Sequence, residues 1–185
     1  MRGLTCAQPT FLNVVDEATR DISVSLLFNN AGYVVSALYA DSPLDRQMKN
    51  FDCNATSALK LTHHFMNHMM DRGLKGLITF TSSAAMFVPT PSTTLYGCTK
   101  SLLTSFACSL APEARAFGID VLVIHPSPVD TRFYDTTKGV SVLEFAQRMA
   151  APPSVVVDRI FAGAGRVVVV DQVRALHFVS APLTH

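Results

Sequence analysis

Three residue types near the middle of the chain could together move a proton. A short apolar run at 77–81 ends in Ser82-Ser83, Tyr96 follows thirteen positions after Ser83, and Lys100 comes four positions later. Ser92, Thr93 and Thr94 precede the tyrosine and are the kinds of residue that cap a helix start. Leu102, Leu103, Phe106 and Leu110 carry a helical period onward, so Tyr96 and Lys100 share one helical face. A free tyrosine has a pKa of about 10 and is a poor base at neutral pH. An ammonium a few ångströms away favours the phenolate, and the phenol can then exchange a proton with an alcohol or ketone near working pH. A serine hydroxyl at a strand end can hold the substrate oxygen as negative charge develops on it.

Other motifs stand in a fixed order around this set. They are Asn29-Asn30-Ala31-Gly32 after a strand-like run, Asn54, and Pro126-Ser127-Pro128-Val129-x-Thr131. With Ser83 and Tyr96-x-x-x-Lys100, the sequence resembles the short-chain dehydrogenase/reductase family. The resemblance implies an α/β fold, a Rossmann-like doubly wound parallel sheet. It also implies NAD or NADP as the hydride carrier that side chains cannot supply, and interconversion of a ketone and a secondary alcohol. By the same resemblance Tyr96 is the acid/base, Lys100 shifts its pKa and holds the ribose, Ser83 anchors the oxygen, and Asn54 kinks its helix and links the lysine to water. Cofactor contacts fall on Asn30, Ala31, Gly32, Tyr96, Lys100, Pro126, Val129 and Thr131. Asn30 also steadies the central strand, and Thr131 reaches the nicotinamide carboxamide. The family usually has Pro-Gly where this chain has Pro126-Ser127, a mild change only where the backbone does not need a positive φ.

The run from Val88-Pro89-x-Pro91 through Tyr96 to Glu113-x-Arg115-x-x-Gly118 looks like the hydroxysteroid and long-chain 3-ketoacyl reductase branch. The stretch 133–151 matches the variable substrate lid and carries Phe133, Tyr134, Val140, Val142, Leu143 and Phe145. Together they imply a small apolar, lipid-like carbonyl or alcohol substrate and a place in lipid metabolism. The helices expected over 55–70 and 93–116 match the family's dimer contact and imply a homo-oligomer.

The family opens with a strand and a Gly-x-x-x-Gly-x-Gly turn that cradles the pyrophosphate at a helix N-terminus. Here Gly3 is the one glycine before Gly32. The match therefore runs over about 11–170, a single partial Rossmann-like domain within 1–185 that lacks the first strands and the Gly-rich turn. Such a chain is expected to bind a nicotinamide cofactor weakly and to turn over slowly or not at all. The reading from another class is a non-catalytic truncated remnant that acts as a dimerisation or regulatory module.

The elements that must position these residues follow from periodicity. Residues 11–20 read as a short amphipathic helix with Phe11, Val14, Val15 and Ala18 on one side. Residues 22–28 read as a strand. One long helix is expected over 43–70, with Phe51, Ala55, Ala58, Leu59, Thr62, Phe65, Met66 and Met69 as its buried stripe. Gly73 and Gly118 stop the helices at their ends. Strands are expected at 77–81, 121–124 and 167–170, and a helix from Pro152-Pro153 to about residue 162. Strands ending at Phe28, Thr81 and Ile124 each run into a motif turn, and ligands of open α/β sheets bind beyond strand C-terminal ends.

The chain is 49% hydrophobic and 16% charged with a formal net charge of +1, which gives no case for nucleic acid or an acidic lipid surface. Its apolar runs are too short for a membrane span, so a cytoplasmic protein is expected, with membrane-surface association left open. Cys6, Cys53, Cys98 and Cys108 form no Cys-x-x-Cys pair and read as reduced thiols. His64 and His68 stand at i and i+4 and could share a metal. No Glu lies between them and no third ligand is evident, so no metal is expected.

Overall fold

Four parallel strands take up the apolar runs in chain order. The computed structural model describes residues 11–131, 133 and 150–171. The strands are β1 (Leu26–Asn29), β2 (Gly76–Thr81), β3 (Ile119–His125) and β4 (Val169–Asp171), arranged β1-β2-β3-β4. Their register pairs Leu27 with Ile78 and Val121, and Asn29 with Phe80, Val123 and Val169. The helices are α1 (Phe11–Thr19), α2 (Leu44–Phe51), α3 (Ser57–Asp71), α4 (Thr94–Arg115) and α5 (Pro153–Gly163).

Alternation along the strands divides the core in two. Leu27, Ile78, Phe80, Val121 and Val123 point to one face and pack with Ala58, Phe65 and Met69 of α3 and Leu103, Ala107 and Ala111 of α4. Leu77, Leu122, Ile124 and Val170 point to the other and pack with Ile160 of α5. Helices thus cover both faces, which is why β2 and β3 are nearly unbroken apolar runs rather than alternating ones. This is the α/β, Rossmann-like arrangement expected of the chain.

Three elements differ from expectation. The strand expected from residue 22 begins at Leu26. Ile22 N–H bonds back to Thr19 and Val24 N–H to Ile22, so 22–25 curl rather than extend, and Ser25 only contributes its carbonyl to Leu77 N–H. On α1 the expected apolar side is mostly unburied, with Val14 and Ala18 exposed, and Val15 alone of the four packs against the core. The single helix over 43–70 is α2 and α3 joined by a π-helical turn, Asp52–Thr56. Its stripe still holds, because Ala55, Ala58, Thr62, Phe65 and Met69 are all buried. Thr62, the polar member, accepts a hydrogen bond from Asn29 Nδ2 at 3.0 Å.

The helix stops follow the glycines. Gly73 has φ +61°, and the bonds from Gly73 N–H to Met70 and from Leu74 N–H to Met69 form a Schellman motif. Gly118, at φ +74°, closes the turn after α4. Of the expected lid, Tyr134, Val140, Val142, Leu143 and Phe145 lie outside the described residues, as does the tail beyond Asp171. No helix of the described residues is long and apolar enough to cross a membrane.

Candidate active site

The three motif turns meet at the C-terminal ends of β1, β2 and β3. Asn30 Oδ1 accepts a bond from Thr81 Oγ1 at 2.9 Å, which ties the first turn to the end of β2. Ser82 N–H bonds to Ile124 O, and Ala84 N–H to Pro126 O, which tie the second turn to the third. Ser127 does not have a positive φ, since Ser92 alone among the described non-glycine residues does. Serine at that place in the Pro126-Ser127-Pro128 turn is therefore unstrained. Val129 pairs with Ala151 in an isolated bridge, and Thr131 is exposed, its Oγ1 accepting Phe133 N–H at 3.4 Å.

The two serines of the β2 turn differ. Ser82 is buried, and its hydroxyl donates to Lys100 O at 2.8 Å. Ser83 is half-buried and caps a short 3-10 turn, its Oγ accepting Ala85 N–H at 3.1 Å. That bond uses an oxygen lone pair, and the hydroxyl proton remains available to donate.

Lys100 is the most constrained member. It is 3% exposed, its Nζ donates to Thr81 O at 2.7 Å, and the same atom stands 5.5 Å from the centre of the Tyr96 ring. Burial pushes the ammonium down from 10.5 to about 8, with Cys53 acting weakly in the opposite direction. At neutral pH it still carries its proton, and two of its three N–H groups remain beyond the one given to Thr81. Tyr96 is half-buried and its ring lies 5.8 Å from that of Phe133.

Asn54 sits in the π-helical turn and is buried. Its Oδ1 accepts Tyr33 N–H at 2.9 Å and its Nδ2 donates to Tyr33 O at 2.8 Å. The extra residue of a π turn leaves backbone groups outside the regular ladder and redirects the side chain, and here it aims the asparagine at the Asn29-Asn30-Ala31-Gly32 turn. Gly32 fits tightly against it. A Cβ at Gly32 would stand 3.1 Å from Asn54 Oδ1 and 3.7 Å from Lys100 Nζ. Ala31 beside it is exposed.

Asn50 and Thr104 were not singled out from sequence, whereas His125 reads there as a strand-end histidine near the site and not a second base. Asn50 Nδ2 donates to Tyr33 O at 2.7 Å, doubling the hold of Asn54 on that backbone. Its i, i+4 spacing from Asn54 in a helix-like run was the available signal. Thr104 Oγ1 lies within 3.0 Å of Lys100 O, Ser82 Oγ and His125 Nε2, and His125 Nδ1 reaches Asp171 Oδ1 at 2.5 Å. This chain of polar groups, buried except at Asp171, fixes the backbone of Lys100 from below, and His125 is engaged in it rather than facing the site. The capping expectation needs correction. Thr93 is the N-cap of α4, but its hydroxyl makes no cap bond and donates to Thr90 O instead.

A cavity of about 700 Å³ lies beside the site rather than in it. Ala85, Val88, Pro89 and Pro91 line one side and Gly97, Cys98 and Ser101 of α4 the other. Gly97, Cys98 and Ser101 fall on a different side of the helix from Tyr96 and Lys100, so the space is a neighbour of the proton-transfer groups.

The sequence profile of the short chain dehydrogenase family matches residues 8–139. Serine 3-dehydrogenase of Rhizobium radiobacter is 33% identical over 115 residues, 62% of this chain and 45% of that protein. Mouse 17-beta-hydroxysteroid dehydrogenase type 3 is 31% identical over 119 residues, 63% of this chain and 39% of that protein. A solved short-chain dehydrogenase from Sphingobium yanoikuyae in complex with NADPH superposes with a TM-score of 0.73 at 23% identity, covering 84% of this chain and 60% of that one; at that identity the likeness bears on fold. The chain spans about half the length of the curated relatives it matches.

Proposed function

The chain belongs to the short-chain dehydrogenase family, and on that premise we propose that it carries the proton-transfer half of an oxidoreductase that interconverts a ketone and a secondary alcohol with NAD or NADP. The observation that carries this reading is the buried Lys100 ammonium, bonded to Thr81 O and held beside the Tyr96 ring. Tyr96 exchanges the proton at the substrate oxygen, with the ammonium favouring its phenolate form. Ser83 donates its hydroxyl proton to the same oxygen as charge grows on it. Asn54 holds the Tyr33 backbone and with it the Gly32 turn beside the lysine.

The described residues fit the nicotinamide–ribose half of a cofactor. Gly32 leaves open the space a side chain would fill against Asn54 and Lys100, Lys100 has N–H groups to spare, and Asn30, Ala31, Pro126, Val129 and Thr131 stand in the turns around it. The cofactor supplies the hydride. The described residues before Gly32 include no Gly-rich turn for the pyrophosphate, so weak binding by the 185-residue chain is expected, and NAD and NADP both fit the reading.

An apolar, lipid-like ketone is the proposed substrate class. Val88, Pro89 and Pro91 along the neighbouring cavity and the similarity to a hydroxysteroid dehydrogenase support it; the similarity to a serine dehydrogenase supports a small polar alcohol instead. A competition titration separates them, with the apolar ketone expected to bind better than a sugar or an amino acid. We also place self-association on the α3–α4 side. The second reading, a non-catalytic module, draws on one observation, the uncovered apolar residues Leu26, Phe28 and Phe161 on the α5 side of the sheet.

The test is carbonyl-dependent oxidation of NADH and NADPH at millimolar cofactor, with Tyr96→Phe alongside. Slow oxidation that the substitution lowers by about a hundredfold or more is expected of general acid catalysis. Oxidation that survives Tyr96→Phe contradicts the assignment, and its absence in both chains favours the non-catalytic module.

A further inference from the structure

Folding brings a third donor to the His64/His68 pair. His64 Nε2 and His68 Nε2 stand 3.8 and 3.9 Å from one oxygen, Asp16 Oδ1 of α1, and one ligand atom from each residue lies within 4.8 Å of the others. These separations are too long for hydrogen bonds. His64 Nε2 is buried without a hydrogen-bond partner among the described residues, a state that costs free energy unless something occupies the gap. The two imidazoles lean together with ring centres 4.3 Å apart. We propose that Asp16, His64 and His68 form a divalent metal site, suited to Zn²⁺, that clamps α1 onto α3.

The chemistry fits a borderline ion. Two imidazole nitrogens and one carboxylate oxygen are ligands Zn²⁺ takes in tetrahedral sites, with water in the fourth position. Bonds of about 2.0–2.2 Å at tetrahedral angles put ligand atoms about 3.4 Å apart, so each Asp16–histidine separation needs to close by only about half an ångström, and the two imidazole nitrogens by about 1.4 Å at most. Asp16 is half-exposed and can turn that far. The clamp also has something to do. α1 contains no fully buried residue and packs on the core through Val15, so a bond from Asp16 to α3 fixes a helix that packing holds lightly.

This site shares no residue with Ser83, Tyr96 and Lys100, so its test is independent of the oxidoreductase reading. Zn²⁺ and Co²⁺ are titrated into the reduced 185-residue chain by calorimetry and by visible absorption of bound Co²⁺. Asp16→Asn, His68→Ala and, as a control on the same helix, His63→Ala are carried alongside. One equivalent bound at micromolar or tighter affinity is expected, with a Tm rise of about 5 °C or more at hundredfold excess over Kd. Asp16→Asn and His68→Ala each weaken binding about tenfold or more, and His63→Ala does not. Absence of binding below about 100 μM, or binding that all three variants retain, overturns the proposal and leaves a simple Asp–His contact. Asp16 lies half in solvent, so its variant reads binding without risk to the fold.

Discussion

The two faces of the sheet are built to different standards. On the α3–α4 face Ile78, Phe80, Val121 and Val123 are wholly or nearly wholly buried, and Phe80 meets Phe106 edge-on at 5.7 Å. On the α5 face, coverage is good under Ile160 but fades toward β1, where Leu26 is 52% and Phe28 44% exposed. The Phe28 ring lies tilted against that of Phe161, with ring centres 6.4 Å apart. Every side chain proposed for proton transfer hangs on elements of the well-packed face or on the strand ends it fixes. The comparison teaches that the acid–base half of the site can be rigid in a chain whose other sheet face is partly bare.

Core truncation gives the largest expected contrast. Phe80→Ala should cost about 3–5 kcal/mol in urea unfolding, whereas Phe→Ala at a half-open position loses far less. A similar loss for Phe28→Ala would erase the difference between the faces. Next comes Lys100, whose ammonium falls from 10.5 to about 8 on folding. Between pH 8 and 10.5 the unfolded chain holds a proton that the folded chain has released. Stability should therefore rise with pH across that window by roughly 3 kcal/mol, and the penalty is fully present below pH 8. Lys100→Met should abolish that rise and leave the chain at least as stable at pH 7. A pH profile unchanged by the substitution would show that Lys100 is not buried as described.

Gly97 sharpens the account at closer range. A Cβ there would stand 2.3 Å from Thr90 Oγ1, so Gly97→Ala should cost about 1–3 kcal/mol, as overpacking does. Thr90→Ala in the same chain should restore part of it, because the nearest clash is with the hydroxyl. A double-mutant cycle in thermal unfolding measures that coupling. The smallest effect is expected at the bare edge. Phe28→Ser should change stability by about 1 kcal/mol or less, yet lower the apparent mass by light scattering if that edge drives non-specific pairing.

Legibility in the sequence followed the same division. β2 and β3 were readable because both their faces are covered, which makes them continuous apolar runs between glycine-stopped helices. The turns after Phe28, Thr81 and Ile124 were readable because motif residues follow each strand directly. Periodicity did not show the π turn at Asn54, where the family resemblance alone implied a kink, since the buried stripe from Ala55 to Met69 keeps helical spacing downstream of it. Nor could spacing reveal the link of Ser82, Thr104, His125 and Asp171, or Asp16 beside His64, because those partners meet only through tertiary packing. The start of β1 was misread because residues 22–25 are apolar enough for a strand but bond to their own neighbours.

The central proposal is that the described residues hold the nicotinamide end of a cofactor through Gly32, Lys100 and Thr131, with Asn54 fixing the turn, and include no Gly-rich turn for the pyrophosphate. The direct measurement is a two-dimensional amide NMR titration with NADH and, separately, with reduced nicotinamide mononucleotide, on the chain and on Lys100→Met. The account predicts that the two ligands bind within about threefold of each other, less than 1 kcal/mol apart, shift the Gly32 and Thr131 amides, and lose binding in Lys100→Met. NADH binding about a hundredfold tighter than the mononucleotide, or binding indifferent to Lys100→Met, would contradict it.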